Sequence, residues 1–303
     1  MKNLLTLFLL TIAFNNSFAQ GCSDAGICSA GKSENSTNKT IKNAVELGAI
    51  YGVGEADLNY ISPYFAYIRA FGDHFTVTSR VTFSSANGSF GTKSGLGDVF
   101  LLGNYKFKES NNQQFGLLFG AKIPLADGNQ KINGVSLPMD YQSSLGTFDL
   151  FLGSTYSVKN WDFNAVVQVP LSQNKNSYFD EFSASNDFPS TNLFKRSADA
   201  LFRTTYNFST SSNTFSFKPN VLFIYHLVED SFTNIFAKEQ KIAGSDGLTI
   251  NANLVTTYYI SNTSSIDLSL AAPLLIRDSR PDGLTRGFVA GISYKMTLSY
   301  WHK

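Results

Sequence analysis

The sequence predicts an all-β fold, a transmembrane antiparallel up-and-down β-barrel of about twelve strands with short periplasmic turns and long extracellular loops. Two observations lead to this prediction. Short segments in which apolar and polar residues alternate recur along the chain, and the polar connections between them alternate between short and long. Outer-membrane barrels need both features, because each strand has a lipid face and a lumen face and the longer loops lie outside. A soluble β-sandwich has no reason to sort its loops in this way.

The first 19 residues predict a secretory signal peptide. Lys2 supplies a positive start, residues 4–13 form an apolar run, and Ser17 and Ala19 are small residues at the positions that a signal peptidase reads. The apolar run is too short to cross a bilayer of ~30 Å as a helix. The rest of the chain has no long unbroken apolar stretch, so a membrane form of the protein would have to be a barrel.

Residues 20–42 are rich in Ser, Gly, Asn and Lys, and predict a flexible periplasmic lead-in or a piece tucked into the barrel. They contain the two cysteines of the chain, Cys22 and Cys28. In an exported protein this pair is compatible with a small disulfide loop. Lipidation of Cys22 is the alternative, although the preceding residues lack the usual leucine. Metal binding is disfavoured because no histidine is near.

Residues 43–303 are predicted to form the barrel. The third segment is the clearest, because Phe75, Val77 and Val81 alternate with threonines and Arg80, and a period of two with one apolar face indicates a strand. The predicted strands are 44–51, 60–71, 75–84, 97–107, 114–124, 146–158, 161–171, 199–208, 215–227, 248–260, 265–273 and 287–300.

The connections set the topology. With both ends in the periplasm an even number of strands follows, and twelve is preferred over ten or fourteen. The first loop, with Glu55 and Asp57, is short. The predicted turns are 72–73, 109–113, 159–160, 209–213 and 261–264, and the predicted longer loops are 86–95, 125–145, 172–197, 229–246 and 274–286.

Composition narrows the class of protein. The net charge of +1 gives no bias towards polyanions, so a nucleic-acid partner is not expected. Charged residues make up 16% of the chain, below the roughly 25% of soluble domains. Aromatic residues cluster near the ends of the predicted strands, as the girdles at both membrane interfaces would require. The aromatic residues concerned are Tyr51, Tyr60, Tyr64, Tyr105, Phe107, Tyr156, Trp161, Tyr206, Phe208, Phe215, Tyr258, Tyr300 and Trp301.

No set of residues predicts an enzyme, a metal site or a cofactor. The three histidines, His74, His226 and His302, are scattered along the chain. Nucleophilic catalysis needs a histidine held by a carboxylate beside a nucleophile, and the spacing does not support one. An outer-membrane hydrolase would need a serine or aspartate near His226.

The charged residues on the polar faces predict a lumen. A charge facing lipid at the middle of the membrane costs ~2–4 kcal/mol for Arg or Lys, so these side chains are expected to point inward. Two interpretations stand: a polar conduit for solutes, or an ion-pair network that fills a closed lumen. The predicted lumen residues are Glu46, Arg80, Asp98, Lys106, Lys122, Asp149, Asp162, Arg203, Lys218, His226, Asp267 and Lys295.

Apolar residues interrupt the polar faces and the loops. On the strands they predict either a path for an apolar solute or strand registers that are off by one. In the longest loop, Tyr178, Phe179, Phe182 and Phe188 predict either a vestibule that collects substrate or a small core that stabilises the rim. The apolar residues assigned to polar faces are Phe100, Leu102, Leu118, Phe151, Phe202, Leu222, Ile224 and Tyr259.

Three stretches, 95–107, 148–156 and 287–294, resemble strands of outer-membrane proteins of the MetA-pathway-of-phenol-degradation type. That family is described as transporters and is loosely similar to fatty-acid channels. The resemblance implies a barrel for passive uptake of small hydrophobic or amphipathic solutes, aromatic ones among them, with outer-membrane lipid and the solute as partners. It implies no catalytic residues. A structural or surface-interaction barrel with a closed lumen is the alternative.

The last strand also predicts a partner during biogenesis. Its apolar row runs from Phe288 to Tyr300, with a mostly polar row on the other face, and the strand ends in aromatic residues. Such a strand resembles the signal that the barrel-assembly machinery reads. His302 and Lys303 after the last aromatic residue are a small departure from that signal.

Overall fold

The computed structural model describes residues 43–54, 56–183, 187–283 and 286–298. The predicted signal peptide, the lead-in with Cys22 and Cys28, and the terminal Tyr300 and Trp301 lie outside the described residues, so the expectations for them stay predictions. Among the described residues, no helix is long and apolar enough to cross a bilayer.

Seventeen strands are found in the described residues, and twelve long ones form a barrel. The other five are short and lie in the connections, together with two single turns of 3₁₀ helix, Met139–Tyr141 and Asp180–Phe182. In chain order the strands are β1 (Asn43–Gly54), β2 (Asn59–Phe71), β3 (Phe75–Gly88), β4 (Gly91–Lys106), β5 (Gln113–Pro124), β6 (Lys131–Ile132), β7 (Val135–Ser136), β8 (Asp149–Val158), β9 (Trp161–Pro170), β10 (Asp199–Tyr206), β11 (Phe208–Ser209), β12 (Phe215–His226), β13 (Ser231–Thr233), β14 (Glu239–Lys241), β15 (Gly247–Tyr259), β16 (Ser264–Leu275) and β17 (Arg286–Thr297).

The long strands form one antiparallel sheet that closes on itself. Each pairs with the next long strand in the chain, β10 pairs with β12, and β17 pairs back with β1. Closure gives every long strand two partners, as the lack of water in lipid requires. The predicted up-and-down barrel of twelve strands is therefore confirmed.

One predicted loop was wrong. Residues 86–95 are not a loop, because β3 and β4 continue as a paired hairpin through Ser85–Ser94 to Gly88–Gly91. The hydroxyl of Ser94 donates to Ser85 Oγ at 2.7 Å, and Asn87 Nδ2 donates to Thr92 Oγ1 at 2.5 Å. Side-chain hydrogen bonds thus support a strand pair that its Gly- and Ser-rich composition disguises.

The two faces of the barrel have opposite chemistry. Large apolar side chains point outward and are exposed, for example Leu152 at 69% and Ile292 at 55%. Charged and amide side chains occupy the alternate, inward positions and are mostly buried. An apolar outside around a polar inside is stable in a bilayer and not in water, so the barrel is a transmembrane one.

The two ends of the barrel differ, and are called here the turn end and the loop end. In outer-membrane barrels short turns face the periplasm. An almost continuous aromatic belt surrounds the turn end, with ring contacts such as Trp161 to Tyr206 at 4.9 Å and Phe215 to Tyr258 at 5.0 Å. Tyr60 and Tyr64 were expected in a girdle, but both lie buried inside the barrel.

Glycines of β1 make room for these two tyrosines. A Cβ at Gly48 would lie 2.5 Å from the ring of Tyr64, and one at Gly52 would lie 2.0 Å from the hydroxyl of Tyr60. Both distances are far below contact distance, so β1 has no room for a side chain at these inward positions. The tyrosines therefore reach across the inner surface of β1 towards the lumen.

Candidate functional site: the barrel lumen and its mouth

The strand register places every predicted lumen residue on an inward-facing position. Arg80, Asp98, Lys122, Asp149, Asp162, Arg203 and His226 are buried, as is Glu46. Lys106, Lys218, Lys295 and Asp267 are only half-buried and lie nearer the turn end. Whether a solute touches these residues stays a prediction.

The Glu46 carboxylate organises one side of the lumen. It accepts a hydrogen bond from the Tyr64 hydroxyl at 2.6 Å and lies 3.9 Å from the Arg80 guanidinium. The same guanidinium lies over the Tyr64 ring, 4.2 Å from its centroid. Glu46, Tyr64 and Arg80 thus tie β1, β2 and β3 together from within by charge, hydrogen bond and cation–π contact.

Lys122 on β5 and Asp149 on β8 form a fully buried ion pair, and Lys122 lies two strands along the barrel from Arg80. Lys122 Nζ lies 2.8 Å from Asp149 Oδ2, and both side chains have no exposed surface. Thr147 Oγ1 donates to the other carboxylate oxygen at 2.6 Å, and Gln168 Nε2 also donates to this group. The carboxylate is therefore saturated with donors, as a buried charge must be.

An apolar cluster packs along one side of the lumen. It is built by inward side chains of six consecutive barrel strands, β4 to β12. Phe202 was wrongly assigned to this face: it points outward and is 43% exposed, and Leu201 points inward in its place. Tyr259 lies at the turn end and is partly exposed. The interior cluster comprises Phe100, Leu102, Leu118, Phe151, Val166, Leu201 and Leu222, with Ile224 packed against it.

The opposite wall is lined differently. Along β16, β17 and β1 to β3 many inward side chains near mid-strand are small or bear hydroxyls and are half-buried, whereas Tyr60, Tyr64 and Ala66 on β2 are buried. The lumen therefore has a packed wall and an accessible wall. Members of the accessible wall are Gly48, Ile50, Ser62, Thr82, Ser269, Ala271 and Gly291.

A cavity lies at each end of the barrel. At the turn end a volume of about 590 Å³ is lined by polar side chains such as Gln114, Asn207 and Lys218. Towards the loop end a narrow volume of about 70 Å³ runs between Tyr60, Asp98 and the loop that follows β5. The loop-end cavity is thus far smaller than the turn-end cavity, and we call the smaller one the slit and the larger one the chamber.

A buried charge network lies at the loop end. The His226 ring lies between two carboxylates, with Nδ1 2.6 Å from Asp199 and Nε2 2.8 Å from Asp230. Each carboxylate can accept a hydrogen bond from its ring nitrogen only if that nitrogen carries a proton. With both nitrogens protonated, the imidazole ring is a cation. Both nitrogens are thereby occupied, which places His226 as an ion-pair partner and not as a base beside a nucleophile.

The same network continues into the last loop. Arg277 Nη2 lies 2.5 Å from Asp282 Oδ2, and Arg196 Nε lies 3.3 Å from the same oxygen. Arg196 also pairs with Asp199. Burial alone raises the pKa of the Asp282 carboxyl, but Arg277 and Arg196 outweigh that effect and hold this pKa well below its usual range. Asp282 is therefore a permanently charged link between loops at neutral pH.

The loops also share an apolar core above the network. Phe90 at the tip of the β3–β4 hairpin makes edge-on ring contacts with Tyr141 and Tyr178, and its ring centroid lies 5.9 Å from that of Phe188. A second cluster joins three loops through Met139, Leu145, Phe194, Phe232 and Ile242. We call the loops held by these two clusters and the charge network the cap.

The predicted vestibule residues divide into two pairs. Tyr178 and Phe188 are buried in the cap. Phe182 is 76% exposed, and Phe179 makes an edge-on contact with it. This placement favours the rim core over a shared vestibule.

Sequence reasoning missed much of this site. Arg196, Asp230, Arg277 and Asp282 were treated as loop residues. One signal was present: residues 277–282 read Arg-Asp-Ser-Arg-Pro-Asp, a dense run of charge in a chain that has little. A solvent-exposed loop of the same composition would look identical, so the run alone does not predict burial.

A closed barrel with an apolar belt and a polar interior is the architecture of bacterial outer-membrane β-barrel proteins. No protein-family model matches the chain, and no curated protein matches it in sequence. Among solved structures it is similar to the COG4313 outer membrane channel from Pseudomonas putida F1, with a TM-score of 0.61 and 12% identity over 88% of this chain and 99% of that chain.

Two further structures have lower TM-scores. The NanC porin has 0.48 at 8% identity, covering 84% of this chain and 100% of that chain, and the CymD monoaromatic hydrocarbon channel has 0.42 at 10%, covering 87% and 90%. At these scores they carry no argument. The predicted resemblance to outer-membrane transport barrels is confirmed for the fold, and the MetA-pathway family itself stays a prediction.

Proposed function

We propose that this chain is a passive outer-membrane channel for small hydrophobic or amphipathic solutes, aromatic ones among them. The observation that supports this most is the two-walled lumen. A barrel that served only as a scaffold would gain stability by packing both walls, whereas here the wall of β16 to β3 keeps small, half-buried residues such as Ser62, Ser269 and Gly291 near mid-strand. The fold shared with the Pseudomonas channel supports the same conclusion.

The chemistry of the lumen suggests the class of solute. A solute that follows the accessible wall would meet the hydroxyls of Ser62, Thr82 and Ser269 on one side and the interior apolar cluster on the other. A purely polar solute would have to leave water beside that cluster, which is unfavourable at about 25 cal/mol per Å² of apolar surface kept wet. An amphipathic solute satisfies both walls.

The cap is the proposed gate. The loops of the cap must separate at the apolar clusters before the slit beside Asp98 can widen. The Ser144 hydroxyl holds the loop after β5 to the Asp98 carboxylate at 2.5 Å, and Ser136 and Ser177 join this loop to the next one at 2.6 Å. Small solutes would pass when these contacts break.

A reversible lock tests the gate. In a background with Cys22 and Cys28 changed to serine, the pair Ser136→Cys and Ser177→Cys would form a disulfide between two loops, since the oxygens already lie within bonding reach. Uptake of labelled 2-phenylethanol by porin-deficient cells is the measurement. We expect oxidation to reduce uptake severalfold and a reductant to restore it.

The matched control is Ser85→Cys with Ser94→Cys, whose hydroxyls are equally close but lie within one hairpin. This disulfide should leave uptake unchanged. If the protein gives no more uptake than an empty vector, the channel proposal fails; if the loop lock has no effect on a working channel, only the gate fails.

The structural alternative keeps one observation in its favour. Phe182 and Phe236 are 76% and 75% exposed at loop tips, which suits a surface that binds a partner. Changing both to serine would remove partner binding without altering permeability if this alternative is correct.

Assembly is a further part of the proposal. The outward row of β17, which includes Phe288, Ile292 and Tyr294, is exposed to lipid, and suits a strand read by the barrel-assembly machinery. Changing Ile292 to aspartate should lower the amount of folded protein in outer membranes more than changing the inward Ser293 to alanine.

A further inference from the structure

One charged side chain on the described barrel strands points outward. Arg69 on β2 is exposed, as are Ile61 and Phe65 at outward positions of the same strand. It pairs with Asn43 of β1 on one side and with Val77 of β3 on the other, both in outward rows. The other outward positions of the long strands, wherever their side chains are described, hold apolar, aromatic or uncharged polar residues. Arg69 is therefore the exception to the rule that charges on this barrel face the lumen.

Arg69 lies close to the turn end of the barrel. It is one outward pair deeper in the membrane than Phe71 and Phe75, whose stacked rings close the β2–β3 hairpin with centroids 5.9 Å apart. A strand rises ~3.4 Å per residue and is tilted ~40° in such barrels, so the Arg69 Cα lies about 5 Å deeper than that of Phe71. A cation at this depth is unfavourable beside hydrocarbon unless its charged end reaches the polar headgroups.

The Arg69 side chain does turn towards the headgroups. Its guanidinium carbon lies 5.0 Å from the centroid of the Phe71 ring, which is nearer the turn end. The ring attracts the charge but provides no oxygen or nitrogen acceptor, so the five N–H donors of the guanidinium still need acceptors.

The neighbouring residues that the structure describes do not supply those acceptors. None of the carboxylates among them forms an ion pair with Arg69. The side-chain oxygen of Asn43 already accepts from the Tyr67 hydroxyl at 2.9 Å, and Val77 is apolar. The guanidinium is thus open to an acceptor from its surroundings, and on the outward face of a membrane barrel these surroundings are lipid.

We propose that Arg69 binds the headgroup phosphate of an anionic phospholipid in the periplasmic leaflet. The planar guanidinium matches two phosphate oxygens with two parallel N–H···O bonds. A headgroup with a net negative charge, such as that of phosphatidylglycerol, is preferred because a zwitterionic headgroup carries its own cation. This inference does not depend on the proposed function, since a closed barrel would bind the same lipid.

Fluorescence quenching by brominated lipids tests the site. Trp161 and Trp301 are changed to phenylalanine, and Val77→Trp then places a single tryptophan beside Arg69 on the lipid face. The protein is refolded in phosphatidylcholine vesicles that contain either brominated phosphatidylglycerol or the same fraction of brominated phosphatidylcholine. We expect phosphatidylglycerol to bind about fivefold more strongly beside this tryptophan, as one cation near anionic lipid implies. Arg69→Met should remove the preference.

Thr256→Trp in the same tryptophan-free background is the matched control. Thr256 is also an outward residue near the turn end, three residues from the end of β15. Its register partners, Phe217 and Leu268, are uncharged. A tryptophan at this position should be quenched equally by the two lipids.

Either of two results would overturn the inference. Equal quenching by both lipids beside Arg69 would show that the guanidinium only reaches water. A preference that persists in Arg69→Met, or that is as large at position 256, would show that the whole barrel attracts anionic lipid instead of one site. Because Arg69 is exposed, Arg69→Met should keep the urea midpoint of unfolding nearly unchanged, which separates a lost preference from misfolding.

Discussion

The most buried charges of the lumen are Lys122 and Asp149, and their pairing leads to a prediction for single residues. Lys122→Met should lower the free energy of unfolding by about 3–5 kcal/mol, because it leaves the Asp149 charge buried without its cation. Urea unfolding of the protein refolded in lipid vesicles is the measurement. The double variant with Asp149→Leu should recover most of the loss, since it removes both charges at once.

The exposed pair Lys195–Glu239 is the matched control, with side chains 62% and 57% exposed and a separation of 3.7 Å. Lys195→Met should change the free energy of unfolding by less than about 1 kcal/mol. A similar effect at the two sites would contradict the description of Lys122 as a fully buried side chain.

Gly48 leads to a second residue-scale prediction. Gly48→Ala should displace the Tyr64 ring and weaken its contacts with Glu46 and Arg80, at a cost of about 1–3 kcal/mol for overpacking. In a Tyr64→Ala background the same change should cost little, because the clashing ring is gone. A cost that persists in that background would show that the glycine is needed for another reason.

At the scale of residues, period-two alternation predicted inward charges well. Asp149, Arg203 and Lys295 lie on the faces assigned to them, because a charge facing lipid is costly and the pattern is strict. Phe202 was misplaced although Arg203 on the same strand was right. Leu201 and Phe202 are adjacent and both apolar, so the pattern alone does not tell which of them faces the lumen. Arg203 faces the lumen because it is charged, so its neighbour Phe202 must face lipid.

The β3–β4 hairpin leads to a prediction for an element. Phe90 at its tip carries ring contacts to three loop aromatics, and its backbone N–H donates to the Tyr141 hydroxyl at 3.2 Å. Phe90→Ala should loosen the cap without unfolding the barrel. We expect faster proteolysis of the loops of protein in vesicles, together with more frequent channel openings in planar bilayers.

Phe182→Ala is the control, because this side chain is largely exposed. It should change neither protease sensitivity nor openings. A Phe90→Ala protein whose loops resist protease as before would show that the hairpin tip does not hold the cap.

At the scale of elements, strands were predictable and connections were not. A lipid-facing strand has to repeat every second residue, so its pattern is visible in one sequence. The cap obeys no such repeat: Phe194, Phe232 and Ile242 lie in different loops and meet only after the chain has folded. The hairpin through Ser85 and Ser94 was missed because Gly and Ser usually indicate loops, and its cross-strand hydrogen bonds leave no pattern in sequence.

The acid response of the cap leads to a prediction for the whole molecule. The pKa of Asp282 is lower in the folded protein than its ordinary value, so its stabilising effect is present above that ordinary value and is lost as pH falls through the lowered one. Open-channel frequency should therefore not rise as pH falls from neutral to about 4, and should rise only in stronger acid.

Asp282→Asn should remove the rise in strong acid. The amide cannot compensate Arg196 and Arg277, so the cap should open often already at neutral pH. Planar-bilayer recordings of both proteins across the pH range provide the measurement. Identical recordings for both would remove Asp282 from the gate.

For the whole molecule, the sequence was sufficient for the closed barrel and insufficient for the state of its lumen. The alternation of short and long connections gives the topology, because each strand runs opposite to the strand before it. Whether inward side chains leave a path depends on volumes summed around twelve strands, and Gly48, Ser269 and Gly291 gain meaning only when they are seen to share one wall.

The pairing of β1 with β17 has a consequence for how the molecule forms. These strands lie at opposite ends of the described chain, yet eleven residue pairs, from Ala44–Thr297 to Gly54–Arg286, join them. All the other long strands can pair with a neighbour as soon as both exist, but this last seam requires contact between the most distant segments. Pairing of β1 with β17 should therefore be the slowest step of folding. A shift of this pairing would separate Glu46 from Lys295, so their opposite charges favour the correct register.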